Sequence, residues 1–212
     1  MNSCWVGACV LALASSAWGF DSADDHGTAG FKSLQINAAA APASLGGAFT
    51  AVSGDLSSLA INPAGIAGLT SLQVQVAAAD YVLDMARFLL SVSIPTKHGV
   101  LAININDMNM GDFERSSTTA QTDGTFSAND IDIQAAFGRR ISWIGQWDLG
   151  FASRFISSSI DNYSAQAISF DAGVIYHPKG GPSIAAAITN VGGTISSFDG
   201  MDESLPTAIT FG

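Results

Sequence analysis

From residue 71 onward the chain alternates apolar residues with polar or small ones, and glycine, asparagine, aspartate and proline interrupt the alternation. A period of two predicts β-strands with two chemically different faces. We predict eight strands, at residues 71–79, 86–94, 99–106, 129–140, 146–156, 165–176, 183–190 and from 207 to the end.

The lengths of the predicted connections point to a membrane barrel. Alternation alone also fits a soluble sandwich, but transmembrane barrels have short periplasmic turns and longer outer loops. The predicted connections alternate between medium or long ones and short ones. In chain order they are 79–85, 95–98, 107–128, 141–145, 157–164, 177–182 and 191–206. We therefore expect an all-β, transmembrane antiparallel β-barrel with its N-terminal segment on the periplasmic side.

Composition agrees with this prediction. Charged residues make up 12% of the chain and hydrophobic residues 48%, whereas a typical soluble domain is about 25% charged. So few charges cannot cover a water-facing surface. A net charge of −10 with eight Lys plus Arg also argues against nucleic acid, which is bound through clustered cations.

The N-terminus has the pattern of a signal peptide. An apolar run at residues 4–14 is followed by small residues that end at Gly19, the predicted cleavage site. Cleavage would remove Cys4 and Cys9, the only cysteines. We predict a signal peptide at 1–19, a periplasmic, hatch-like segment at 20–69 and barrel strands at 70–212, in the outer membrane of a Gram-negative bacterium.

Strand register brings polar residues of the predicted barrel together. Pairing Arg140 with Gln146 sets Asp132 opposite Arg154, on the polar parity that also contains Asp171. We predict an ion-paired cluster of Asp132, Arg154 and Asp171 that faces the lumen.

A second hairpin places two aromatic residues together. Pairing Phe155 with Ile168 sets Trp147 opposite Tyr176, both beside predicted short turns. Amphipathic rings are favoured at membrane interfaces, so we predict that Trp147 and Tyr176 are interface aromatics.

The sequence shows no catalytic motif, and we expect neither an enzyme nor a cofactor. There is no P-loop, dinucleotide fingerprint or nucleophile elbow. His26, His98 and His177 lack the spacing of metal ligands. We predict no metal site and interpret the histidines as surface residues of the tail and turns. The acidic runs 24–26 and 199–203 are more simply solvated charges than a divalent-cation site.

One segment resembles a known family. Residues 43–68 are rich in small side chains and contain Asn62, Pro63, Ala64 and Gly65. This segment resembles the N-terminal signature of the PorV/PorQ family and, more distantly, that of FadL-type barrels. Further landmarks in the same order, at 124–126, 170–176, 189–192 and 205–206, extend the resemblance over nearly the whole mature chain.

The resemblance implies a fourteen-stranded barrel with an N-terminal segment that plugs or lines the lumen. Eight strands fit this chain, so we expect a FadL-like partial barrel of about eight of the fourteen strands. The alternative is an eight-stranded barrel that closes by itself, filled by side chains.

Three functions remain open at this stage. Members of the resembled family serve type IX protein secretion, which implies secretion-system or cargo proteins as partners, here through loops 107–128 and 191–206. FadL relatives pass hydrophobic molecules, which implies a hydrophobic ligand and a movable hatch at 38–69. A porin-like structural barrel is the third. All three share the lipid of the outer membrane as a partner.

Overall fold

A computed structural model describes residues 30–116, 122–198 and 204–212. The predicted signal peptide, residues 1–19, and the start of the predicted hatch segment lie outside the described residues.

The protein is all-β, and its strands form one antiparallel sheet in chain order. The eight predicted strands are confirmed, and their bounds are β1 Gln73–Asp80, β2 Ala86–Thr96, β3 Gly99–Ser116, β4 Thr122–Trp143, β5 Gly145–Ile160, β6 Tyr163–His177, β7 Ile184–Ser196 and β8 Ala208–Phe211. In the described part of the chain β1 and β8 are the two edges of an open sheet. The alternative of eight strands closing on themselves is therefore wrong.

Two strands are much longer than predicted. The sequence placed a long loop at 107–128, but β3 continues to Ser116 and β4 already begins at Thr122. The prediction failed because this stretch is rich in Thr, Asp, Ser and Gly and loses the apolar alternation. A hairpin with water on both faces does not need alternating apolar residues to keep the hydrogen bonds between its two strands.

The predicted alternation of short and long connections is wrong at one further place, where residues 157–164 were expected to form a loop of medium length. Strands β5 and β6 are joined by the tight turn at 161–162, where Asp161 has a positive φ of 54°, a conformation that Asp tolerates in hairpin turns. The β6–β7 connection is short, as predicted: it spans 178–183 and contains two prolines, which cannot donate ladder hydrogen bonds.

The two faces of the sheet differ sharply. On the inner face, defined here as the face covered by residues 30–69, polar side chains are buried, among them Arg87, Ser91, Asn104, Asp132, Gln134, Arg154 and Asp171. On the opposite, outer face, large apolar side chains are exposed, among them Val74, Val76, Phe88, Ile103, Ile133, Phe137, Phe151, Phe155, Ile168 and Phe170. This distribution is the reverse of the one that a water-soluble sheet requires.

The covering segment is built from short helical turns: η1 Lys32–Gln35, α1 Ala40–Ser44, η2 Leu56–Ala60 and η3 Pro63–Gly68. Asp55 caps η2 by accepting a hydrogen bond from the backbone N–H of Ser57. Leu56 and Leu59 of η2 pack with Ile66, Leu69 and small wall residues in one buried cluster. No helix in the described ranges is long and apolar enough to cross a membrane.

Candidate functional site

Three glycines in adjacent strands form a groove on the inner face. Gly138 of β4 pairs with Gly150 of β5, which pairs with Gly173 of β6. A Cβ on Gly150 would overlap the backbone of η3, and one on Gly138 would lie 2.5 Å from a side-chain carbon of Ile66. The row, which we call the plug seat, allows η3 to contact the sheet backbone directly.

The predicted hatch motif occupies this seat. Asn62 is fully buried, and its Oδ1 accepts a hydrogen bond from the backbone N–H of Ala64 at 3.0 Å, which caps η3. Its Nδ2 donates to the carbonyl oxygen of Thr50 at 2.7 Å. Pro63 stands at the first position of η3, where its lack of an N–H is harmless. Asn62, Pro63, Ala64 and Gly65 thus form one rigid turn, the plug, seated against the sheet.

A polar cluster at one end of the seat fastens the preceding loop to the sheet. Arg140 donates two hydrogen bonds to the buried carboxylate of Asp148, at 2.6 and 2.7 Å. Ser53, from the covering segment, donates to the same carboxylate at 2.5 Å. His177 lies 2.8 Å from Asp148 through Nε2 and 2.9 Å from Ser183 through Nδ1. We call these residues the anchor cluster. Because Arg140 binds both oxygens of Asp148, we interpret the cluster as a structural link between the covering segment and the sheet.

The three residues of the predicted lumen cluster come together on the inner face. Arg154 Nη1 lies 3.5 Å from Asp132 Oδ1, and Arg154 Nη2 lies 3.2 Å from Asp171 Oδ2. All three side chains are at most 5% exposed. Gln134 Nε2 also donates to Asp171 at 2.8 Å, and Arg87 approaches Asp132 at 4.0 Å.

The register proposed for the β4–β5 hairpin is wrong. Arg140 pairs with Asp148 instead of Gln146, and the residue opposite Arg154 is Gln134 instead of Asp132. The cause is a tighter turn: β4 continues to Trp143, and a positive φ of 99° at Gly145 lets β5 begin at once. A shift of two residues leaves every side chain on its predicted face, so Asp132 and Arg154 still meet diagonally.

A row of polar side chains runs across the inner face beneath η2. Following the pairing from β1 to β6, it comprises Gln75, Ser91, Asn104, Gln134, Arg154 and Ser169. Gln75 and Gln134 contact η2 through hydrogen bonds to Ser57 Oγ and Leu59 O. The inner face beneath η2 is therefore polar, whereas Ala64 of the plug packs against Ile175 and Ala185.

The predicted aromatic pair is found on the outer face. The pairing of Phe155 with Ile168 and of Trp147 with Tyr176 is confirmed. The rings of Trp147 and Tyr176 have centroids 4.5 Å apart, next to the β4–β5 turn and the β6–β7 connection.

The histidines do not all behave as predicted. His98 is exposed in the β2–β3 turn, as expected, but His177 is held in the anchor cluster and is not a solvated turn residue. His26 and the acidic runs 24–26 and 199–203 lie outside the described residues. In the part of the chain that the structure describes, no group of three or more His, Cys, Asp or Glu is arranged to hold a metal ion.

Sequence reasoning missed the plug seat and the anchor cluster. The predicted β5–β6 register already set Gly150 opposite Gly173, so two members of the glycine row could have been recognised. Gly138 and the Arg140–Asp148 pair were hidden by the register error in the β4–β5 hairpin. Ser53 carries no signal in sequence because its role depends on a contact 95 residues away.

Fold and site together define an all-β protein whose sheet has a polar inner face, closed by a short plug, and an apolar outer face. Residues 7–131 of the 212 match an uncharacterised protein family, UPF0164. The match covers more than half of the chain, which therefore belongs to this family. Neither the curated proteins nor the solved structures contain a match to the chain.

Proposed function

We propose that this protein forms part of the wall of an outer-membrane β-barrel whose interior is occupied by its own N-terminal plug. The observation that carries the proposal is the reversed polarity of the sheet, with buried Asp, Arg, Asn and Gln on one face and exposed Ile, Leu, Val and Phe on the other. Lipid is the solvent in which such an outer face is stable.

The height of the apolar surface fits a membrane. On the outer face of β4, Asn129 and Arg139 bracket a stretch whose outward residues are Ile131, Ile133, Ala135 and Phe137. Ten residues of strand span about 33 Å, which projects to about 25 Å at a tilt near 40°. Asn129 and Arg139 are therefore about as far apart as the two edges of the apolar band of outer-membrane barrels. Asn129 donates to Asp107 of β3 at 2.8 Å, so polar groups end the band on both strands.

Among the functions considered, a secretion-linked barrel fits the interior better than a carrier of hydrophobic molecules. A carrier needs an apolar pocket for its ligand, but the inner face is crossed by the polar row from Gln75 to Ser169. The small apolar residues of this face are already covered by Ile66 and Ala64. The resemblance to the PorV/PorQ family supports the secretion role, in which contacts with partner proteins lie at the rim of the barrel. The hydrophobe carrier remains the second proposal.

Two arginine substitutions test the membrane proposal. Ile133 lies in the middle of the apolar band and Ile184 at the start of β7, opposite Tyr176, and both are exposed on the outer face, at 45% and 60%. In lipid, Ile133→Arg should cost about 2–4 kcal/mol of folding free energy and Ile184→Arg about 0–1 kcal/mol. The measurement is urea unfolding in lipid vesicles. Equal and small effects would show that the outer face does not meet lipid.

The secretion role is tested in cells. Deletion of the gene should deplete exported cargo proteins from the culture medium and leave fatty-acid uptake unchanged, and expression of the full chain should restore export. Normal export with impaired uptake of fatty acids would overturn the secretion role in favour of the hydrophobe carrier.

A further inference from the structure

The end of the β3–β4 hairpin extends beyond both neighbouring strands. Pairing of β2 with β3 stops at Asn109, and pairing of β4 with β5 stops at Ala128. Residues 112–116 and 122–127 therefore continue as a two-stranded ribbon, separated from the sheet by a register shift between Asn109 and Asp112. An isolated two-stranded ribbon is only marginally stable in water, so its stability must come from other contacts.

Side-chain contacts hold this ribbon in one conformation. Phe113 and Phe126, directly opposite each other, stack with ring centroids 5.3 Å apart. The Arg115 guanidinium lies 6.0 Å from the Phe126 ring centre and forms an ion pair with Asp161 of the β5–β6 turn. Arg115 of β3 thus reaches past Phe126 of β4 and connects the ribbon to the β5–β6 turn.

The β3 side of the ribbon is left open. Within the described ranges, no strand pairs with the β2-facing edge of residues 112–116. The β1–β2 loop reaches only the start of this edge, where the carbonyl oxygen of Leu83 lies 3.1 Å from the Cβ position of Gly111. Strand edges of this kind are sites for addition of a further strand.

Charge identifies the kind of segment that fits. Asp112 and Glu114 are exposed on this edge, and the whole chain has a net charge of −10. Complementary charge speeds encounter and suppresses wrong partners. We propose that residues 112–116 of β3 are a docking edge for an extended, lysine- or arginine-bearing segment of another protein, which adds as a strand. The inference goes beyond the proposed function and does not require the outer face to meet lipid.

A labelled peptide tests the docking edge on the purified full chain in detergent. The probe is a peptide of about ten residues that alternates lysine and valine, followed by fluorescence anisotropy. A second peptide of the same sequence carries N-methyl groups along one backbone edge, so that it has the same charge but cannot pair as a strand. We expect saturable binding of the first peptide and none of the second.

Two protein variants locate the binding. The double variant Asp112→Lys with Glu114→Lys should weaken binding by at least about tenfold. The single variant Asp80→Lys reverses an exposed charge at the end of β1, off the ribbon, and should leave binding within about twofold. Equal binding of both peptides, equal weakening by both variants, no binding by the parent chain, or self-association through the ribbon in place of peptide binding would each overturn the proposal.

Discussion

Placing a single methyl group in the plug seat should release the plug. In Gly150→Ala the new Cβ would overlap the backbone of Pro63 and Ala64, so either the strand or η3 must move. The strand is held by ladder bonds to Gly138 and Gly173 on its two sides, whereas η3 is held by contacts with the seat. Overpacking of this kind costs about 1–3 kcal/mol, and we expect it to destabilise the docked state of the plug by this amount relative to the undocked state.

A single cysteine can report on this equilibrium because the chain's own Cys4 and Cys9 precede the predicted cleavage site. Ser57→Cys is nearly isosteric and lies in η2, where Ser57 is 7% exposed. A free-energy change of 1–3 kcal/mol corresponds to about a 5- to 150-fold change in the undocked population. The labelling rate of this cysteine with a soluble maleimide should increase by the same factor in Gly150→Ala.

Gly193→Ala is the matched control, because a Cβ at Gly193 meets nothing within 4 Å. It should label at the parental rate. If Gly150→Ala folds and labels no faster than Gly193→Ala, then η3 is not seated against the glycine row as described.

Three further predictions concern the polar contacts around the plug. Asn62→Ala removes the cap of η3 and leaves a buried carbonyl without its donor, so labelling of the Ser57→Cys reporter should rise by an amount corresponding to about 1–3 kcal/mol. Arg154→Met leaves two buried carboxylates without their shared cation and should lower the unfolding free energy, measured in urea, by about 3–5 kcal/mol. Adding Asp132→Asn should restore part of this free energy, and no restoration would contradict the ion-paired cluster. Asp148→Asn weakens the anchor cluster, and the reporter should label faster by roughly 5- to 150-fold; an unchanged rate would show that the cluster does not fasten the covering segment.

Sequence predicted the sheet wherever side-chain chemistry alternates. The β5–β6 register was recovered because one apolar pairing, Phe155 with Ile168, also matched Trp147 with Tyr176. The ends of β3 and β4 were missed because a ribbon beyond the apolar band is not required to alternate. Their continuation depends on long-range contacts such as that of Arg115 with Asp161.

The candidate site was only partly predictable. The motif at Asn62 was recognised through the family resemblance as part of a plug-forming segment. Asp132, Arg154 and Asp171 were grouped correctly although the predicted register was wrong by two residues, because a shift of two keeps the parity of every side chain. The seat that receives the motif depends on the register of three strands, and one wrong turn at Gly145 was enough to hide it. Register is set by turn geometry as much as by the alternation of apolar and polar residues. This alternation does not reveal the positive φ of Gly145.

Whether the outer face meets lipid can be measured at Ala135, which is exposed in the middle of the outer face of β4. A nitroxide attached at Ala135→Cys in protein reconstituted into lipid vesicles can be relaxed by oxygen, which concentrates in lipid, or by a water-soluble nickel complex. For a membrane barrel we expect strong relaxation by oxygen and little by nickel at Ala135, and the opposite at Tyr163→Cys beside the β5–β6 turn. Strong relaxation by nickel at both positions would show that the outer face meets water and would contradict the membrane barrel.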